Sequence, residues 1–288
     1  MVHYLSITLS AFLIAVYSAS AKHYSAVEGS SLVSGLTFNM LIGTVSALFC
    51  WGMCGFQLSF SWFSFILAIV TAVFGGVYLV LGFRVMEAGG ITIYSLFLMS
   101  GGMVLPYLFG LLFWDEPFTL PRVFGILLIL VALWIANRSK VKLKPSFYVL
   151  CVIIFLLNGW MSILSKYHQI STAYPIVSSA EFAVYQNIGR ALFGAFMLCF
   201  VRKPKQPLPF PKPSLWLTVL INGLAAGGSF LLQLNAAVYL PASVLFPFIS
   251  GGSVIFSSLL GLVFFKEKLT APQLAAIGLC FAGTLLFL

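Results

Sequence analysis

Charge is what this sequence has least of. Lys, Arg, Asp and Glu together make up 7% of its 288 residues, where an ordinary soluble domain carries about 25%. So few charges cannot clothe a water-facing surface, which excludes a soluble enzyme, a nucleic-acid-binding domain and a disordered tail. Acids are scarcer still, with six Asp and Glu against 15 Lys and Arg. No carboxylate falls mid-way along any apolar run, so no simple proton relay is visible.

Other absences narrow the chemistry. There is no CxxC, and Cys50, Cys54, Cys151, Cys199 and Cys280 all lie in apolar stretches, as small buried hydrophobes do. His3, His23 and His168 form no HExxH or other ligand spacing, so no metal is expected. No Walker A sequence occurs, which argues against intrinsic ATP-driven transport. No Ser or Cys has a His and an acid placed to serve it, so neither an enzyme activity nor a cofactor is expected. No Lys or Arg precedes the first apolar run, Leu5–Val16. Despite the A-x-A pattern of Ala19-Ser20-Ala21, that run reads as an uncleaved first transmembrane helix.

What is present is apolar: 61% of the residues are hydrophobic and 29 are Phe. Runs long enough to span a bilayer, about 17–25 residues, cover 4–21, 33–52, 60–82, 91–113, 121–137, 146–165, 180–201, 214–239, 242–265 and 271–288. The fold class is therefore all-α integral membrane with ten transmembrane helices. No loop between them is large enough for a soluble domain, so function resides in the bundle. Ser178-Ser179-Ala180-Glu181 matches a capping box opening helix 7. Pro121 and Pro272 suit the first turns of helices 5 and 10.

The few charges are sorted. Loops 1–2, 3–4, 5–6, 7–8 and 9–10 hold 12 of the 15 basic residues, the other side holds only Arg122 and Lys166, and Arg190 lies inside helix 7. The positive-inside bias puts the basic loops in the cytoplasm and both termini outside the cell membrane. Below, the side carrying these loops is the basic face and the other the opposite face.

The halves resemble one another. Helices 4–5 align with helices 9–10 at an offset of 151, pairing Gly101 with Gly252, Gly110 with Gly261, Glu116 with Glu267 and Pro121 with Pro272. Ser18-x-x-x-Lys22 lies opposite Ser162-x-x-x-Lys166, and Ile42-Gly43 matches Ile188-Gly189. An odd-numbered repeat inserts its copies with opposite topology. The organisation expected is a first five-helix repeat over 1–137, a basic connecting loop at 138–145 and a second, inverted repeat over 146–288. Inverted repeats are typical of secondary transporters, with the substrate site near the midplane.

The stretch Leu240-Pro-Ala-Ser, Pro247, Gly261-Leu-Val-Phe-Phe-Lys-Glu-Lys-Leu-Thr and Gly278 resembles the C-terminal repeat of EamA-type proteins, ten-helix members of the drug/metabolite transporter superfamily. Its partner, Gly110-Leu-Leu-Phe-Trp-Asp-Glu-Pro-Phe-Thr with Gly125, resembles it too. The resemblance implies export of amino acids or other small metabolites, as by YddG-type amino acid exporters. Small four-helix drug exporters of that superfamily use a membrane-embedded Glu in helix 1, and no acid occurs between Met1 and Val27. Proton-coupled export by that route is disfavoured.

Arg190 is the most informative position, because a mid-membrane charge is expensive and usually functional. A guanidinium binds a carboxylate bidentately, and Gln186 and Asn187 share its helix face. The competing structural reading has Arg190 bonding backbone carbonyls or pairing with Glu181. Asn158 and Trp160 in helix 6, Tyr17 in helix 1, Tyr78 and Tyr94 in helices 3 and 4, and Gln233 in helix 8 complete the candidate substrate-binding set. Each has an alternative as interhelical polar glue or an interfacial aromatic. Gln233 and Asn235 point to different faces, so at most one lines a cavity. Glu116 and Glu267 are expected to hold the 4–5 and 9–10 hairpins by capping the following helix. Arg84 and Glu87 are spaced for an ion pair at the end of helix 3. Helices 4 and 9 are expected to cross near the centre, with Gly101-Gly102 and Gly251-Gly252 permitting close packing.

The function expected is a secondary transporter of amino acids or related organic solutes by alternating access, with export favoured. A cationic or quaternary-ammonium solute in an aromatic cage is the alternative. A membrane enzyme or a non-transporting receptor is the competing class. The partners are a small-molecule substrate and the lipid bilayer, and monomer and homodimer both stay open.

Overall fold

The computed structural model describes residues 2–29, 31–87, 91–136, 145–201, 211–265 and 271–288. Within them run ten α-helices: α1 (Val2–Glu28), α2 (Leu32–Met53), α3 (Trp62–Glu87), α4 (Ile91–Phe113), α5 (Leu120–Ala136), α6 (Pro145–Ile170), α7 (Ser179–Val201), α8 (Trp216–Ala237), α9 (Ala242–Phe265) and α10 (Ala271–Leu285). Eight are long and apolar enough to cross a membrane, and α5 and α10 are shorter apolar helices. The chain is an all-helical, multi-pass membrane protein. Helices are the natural solution, because lipid offers the backbone no hydrogen-bond partners and a helix satisfies them internally.

Every expected span falls on a helix, and the boundaries shift where local contacts extend them. α1 continues to Glu28 instead of ending at 21, which puts Ala19-Ser20-Ala21 in a helix interior. α6 continues to Ile170 instead of 165. This corrects the expectation of Lys166 as a loop residue: it is a buried member of the last turns of α6. Of the expected connecting loop 138–145, all but Pro145 lies outside the described residues.

Caps fix the helix starts. The Ser31 hydroxyl accepts from Ser34 N–H at 3.1 Å to open α2. The capping box of α7 is complete: Glu181 N–H donates to Ser178 Oγ at 3.3 Å, and Ser178 N–H donates to Glu181 Oε2 at 2.8 Å. Asp115, in the tight turn after α4, has φ of 52°, a conformation that Asp tolerates better than most residues.

Small residues bring helix backbones together, as membrane packing requires. A Cβ at Gly101 would lie 2.2 Å from the Phe155 carbonyl oxygen of α6, and one at Gly43 would lie 2.9 Å from backbone atoms of α7. The central glycine pairs thus serve contacts other than the 4–9 crossing alone, with Gly251 facing Thr284 and Ile129, and Gly252 facing Ala11.

The packing partners recur with a shift of five helices. α1 lies against α8 and α9, and α6 lies against α3 and α4; α2 meets α7, α4 meets α9, and α5 meets α10. The pattern is not exact. Both α6 and α7 come up to α8, while the corresponding pairs, α1 with α3 and α2 with α3, make no comparable approach among the described residues.

The α4–α6 contact gives a direct check. Gly101→Ala forces a methyl against backbone, so it should destabilise the protein by about 1–3 kcal/mol. Gly278→Ala, where a Cβ meets nothing within 4 Å, should leave thermal unfolding in detergent unchanged or slightly raised.

Candidate functional site

A cavity of about 380 Å³ lies among α1, α2, α3, α4, α6, α7, α8 and α9. The short pair α5 and α10 contributes no lining residue. Seven of the expected residues come together there: Arg190, Gln186, Asn187, Asn158, Tyr17, Tyr78 and Gln233.

Arg190 sits half-way along α7, and its Nε donates to Asn39 Oδ1 on α2 at 2.5 Å. Among the described residues Asn39 is the only hydrogen-bond partner of this guanidinium. Glu181 does not pair with it. That carboxylate caps α7 and accepts from the backbone N–H of Ser59 at 2.5 Å and from the Ser59 hydroxyl. Among the described residues no carboxylate lines the cavity. Tyr17 and Tyr78 are close enough to interact electrostatically with the guanidinium.

The amides around it are positioned by neighbours. Asn158 Nδ2 donates to the Leu98 carbonyl of α4 at 2.7 Å, Asn187 Nδ2 to Ala183 O at 2.9 Å, and Gln233 Nε2 to Ser229 Oγ at 3.1 Å. Asn222 Nδ2 ties α8 to α1 through Tyr17 O at 2.6 Å and Ser20 Oγ at 2.9 Å. Each amide keeps an oxygen or a second N–H able to meet a solute.

Two expectations need correction and several fall outside view. Trp160 is 43% exposed on the outer surface of α6, against the Phe109 ring. It lies two residues, about 200° of helix, beyond the cavity-facing Asn158. Glu116 does cap a helix, but α9 and not the following α5: its carboxylate accepts from Ala242 N–H at 2.6 Å and Ser243 N–H at 2.8 Å. The turn that carries it therefore reaches the start of α9. Asn235 is exposed, so of that pair Gln233 is the one that lines the cavity. The side chains of Tyr94 and Glu87, and all of Glu267, lie outside the described residues, while Arg84 is exposed.

Lys166 lines the cavity from the last turns of α6. Its ammonium donates to Leu240 O at 2.5 Å and Ala237 O at 3.3 Å, at the C-terminal end of α8, and lies 3.8 Å from Glu116 Oε1. A cation thus meets the negative end of α8 while an anion meets the positive end of α9. Arg122 joins them, donating to Ser243 Oγ at 3.3 Å. His168, fully buried, donates to or accepts from Ser64 Oγ at 2.8 Å and stacks on Phe182. Among the described residues no cluster of His, Cys, Asp and Glu could hold a metal.

Sequence reasoning missed Asn39, Asn222 and Lys166 as cavity residues. The signal for Asn39 was available: an Asn in an apolar span is itself unusual.

Comparison with known proteins can now be set beside this geometry. Residues 147–288 match the EamA-like transporter family. That match supports the drug/metabolite transporter superfamily for the second half of the chain. A solved crystal structure, described simply as that of a protein, has the same fold over nearly the full length: the TM-score is 0.78 at 16% identity, covering 98% of this chain and 96% of that one. No match is found among the curated proteins.

The Lys166–Glu116 arrangement predicts a measurable effect. Glu116→Ala strands two α9 N–H groups and the ammonium, so it should destabilise the protein by about 1–3 kcal/mol in thermal unfolding. Glu28→Ala, which loses a solvent-exposed bond to Lys212 N–H, should be close to neutral.

Proposed function

We propose that this protein is a secondary transporter that moves small organic solutes bearing a carboxylate, amino acids foremost, across the cytoplasmic membrane by alternating access. Its working parts are two five-helix halves of opposite topology, and the family resemblance favours export. The observation that carries the reading is Arg190: a mid-membrane guanidinium held on one side by Asn39, in a cavity without a carboxylate among the described residues. Its remaining N–H groups form a fork suited to a carboxylate. The shift-of-five packing pattern and the EamA-like second half support the transporter class. The approach of α6 to α8, with Lys166 on the α8 carbonyls, supports a state closed toward the opposite face. The aromatic-cage alternative finds four rings among the described lining residues, Tyr17, Tyr78, Phe230 and Phe246, but the Arg190 guanidinium beside them repels a solute that carries only positive charge.

The test is solute flux in proteoliposomes with a labelled panel of amino acids, organic acids and choline. Carboxylate-bearing members should be transported and choline should not. Arg190→Ala removes a charge-assisted contact worth about 1.5–3 kcal/mol, so apparent affinity for the carboxylates should fall about tenfold to a hundredfold. Flux of no panel member, or unchanged affinity in the variant, overturns the reading.

A further inference from the structure

We propose that the carrier is an exchanger: it changes face only when an anionic group occupies Arg190, so each solute that leaves is replaced by one that enters. The inference rests on the transporter reading above and concerns how the same site governs turnover.

Lys166 and Glu116 lie 3.8 Å apart and offset one another, whereas among the described residues Arg190 hydrogen-bonds only the neutral amide of Asn39. No acid among the described lining residues balances it. While the cavity is open, water solvates the unpaired guanidinium. To present the cavity to the other side the protein must pass through a state closed on both faces, with that water largely gone. An unpaired charge in a dry interior is strongly unfavourable, and Asn39 offers a single neutral oxygen against it. A bound carboxylate supplies the missing charge and a bidentate partner for the fork. The loaded carrier then closes with its guanidinium paired to a carboxylate, and the empty carrier closes with it unpaired. The barrier for the empty return is raised and that for the loaded crossing is not.

The geometry agrees on where the motion must occur. The cavity is bordered by Tyr17 on α1 and Tyr78 on α3, the helix pair that stays apart while its counterpart, α6 and α8, has come together. Closing one pair and opening the other carries the cavity from one face to the other. Arg190, half-way along α7, stays between the two pairs throughout and so meets the dry intermediate on every crossing.

The experiment uses the full chain in proteoliposomes. One batch is loaded with a mixture of the twenty amino acids and short 2-oxo and monocarboxylic acids, and the other with potassium chloride buffer alone. Uptake of each labelled member is followed in both. The expected result is uptake at least tenfold faster into loaded vesicles, with no rescue of empty ones by an imposed potassium diffusion potential. Equal uptake into both overturns exchange and leaves transport standing, while no uptake into either overturns the transporter reading itself. A conformational readout covers the variant that fails to transport. Ser165→Cys, at the Lys166 end of the cavity, is introduced into a chain whose five native cysteines are replaced, and is labelled from the opposite face with a membrane-impermeant maleimide. Without solute, labelling should be slow, and adding Arg190→Gln should speed it severalfold. Labelling that Arg190→Gln leaves unchanged overturns the proposal.

Discussion

Lipid neither donates nor accepts hydrogen bonds, and nearly everything polar in this protein is arranged around that fact. The buried amides of Asn158 and Asn222 reach backbone carbonyls of neighbouring helices. Ser10 and Ser229 bond across α1 and α8 at 2.9 Å, and Ser46 reaches Gly223 O at 2.7 Å. Glu116 and Lys166 spend their charge on helix ends. Among the described residues the Arg190 guanidinium stands out by holding its charge against one neutral partner, Asn39.

The same constraint explains why the fold was so legible. Ten apolar runs could only be helices, and their number, order and approximate limits follow from length alone. Pairing was less legible: the aligned glycines Gly101 and Gly252 do not serve the α4–α9 crossing expected of them, Gly101 meeting the α6 backbone and Gly252 the Ala11 side chain of α1. The candidate site was half legible. Polar residues in apolar runs flagged Arg190, Gln186 and Asn158 correctly as cavity-lining, because hydropathy detects what does not belong in lipid. It cannot say on which side of a helix a large amphipathic ring lies. Trp160 therefore misled, being equally at home against lipid.

Long-range contacts were the part that sequence could not supply. Glu116 lies four residues before the start of α5, so capping that helix was the local solution, yet its carboxylate is used 126 residues away at α9. Lys166 sat at the edge of an apolar run and so read as a loop cation. Only the close approach of α8 reveals that two carbonyls and a carboxylate await it. In both cases the deciding partner belongs to another helix pair, and residue identity carries no trace of it.

The acceptors that hold Lys166 are main-chain oxygens of Ala237 and Leu240. No side-chain replacement at those two positions abolishes them, short of one that bends the helix end. The contact at that end is accordingly robust on the acceptor side and adjustable on the donor side alone. On the exchange proposed above, a substitution at Lys166 changes how readily this end of the cavity opens, and one at Arg190 changes which solute it holds. Rate and selectivity then fall to different residues of one cavity, and one can vary while the other is kept.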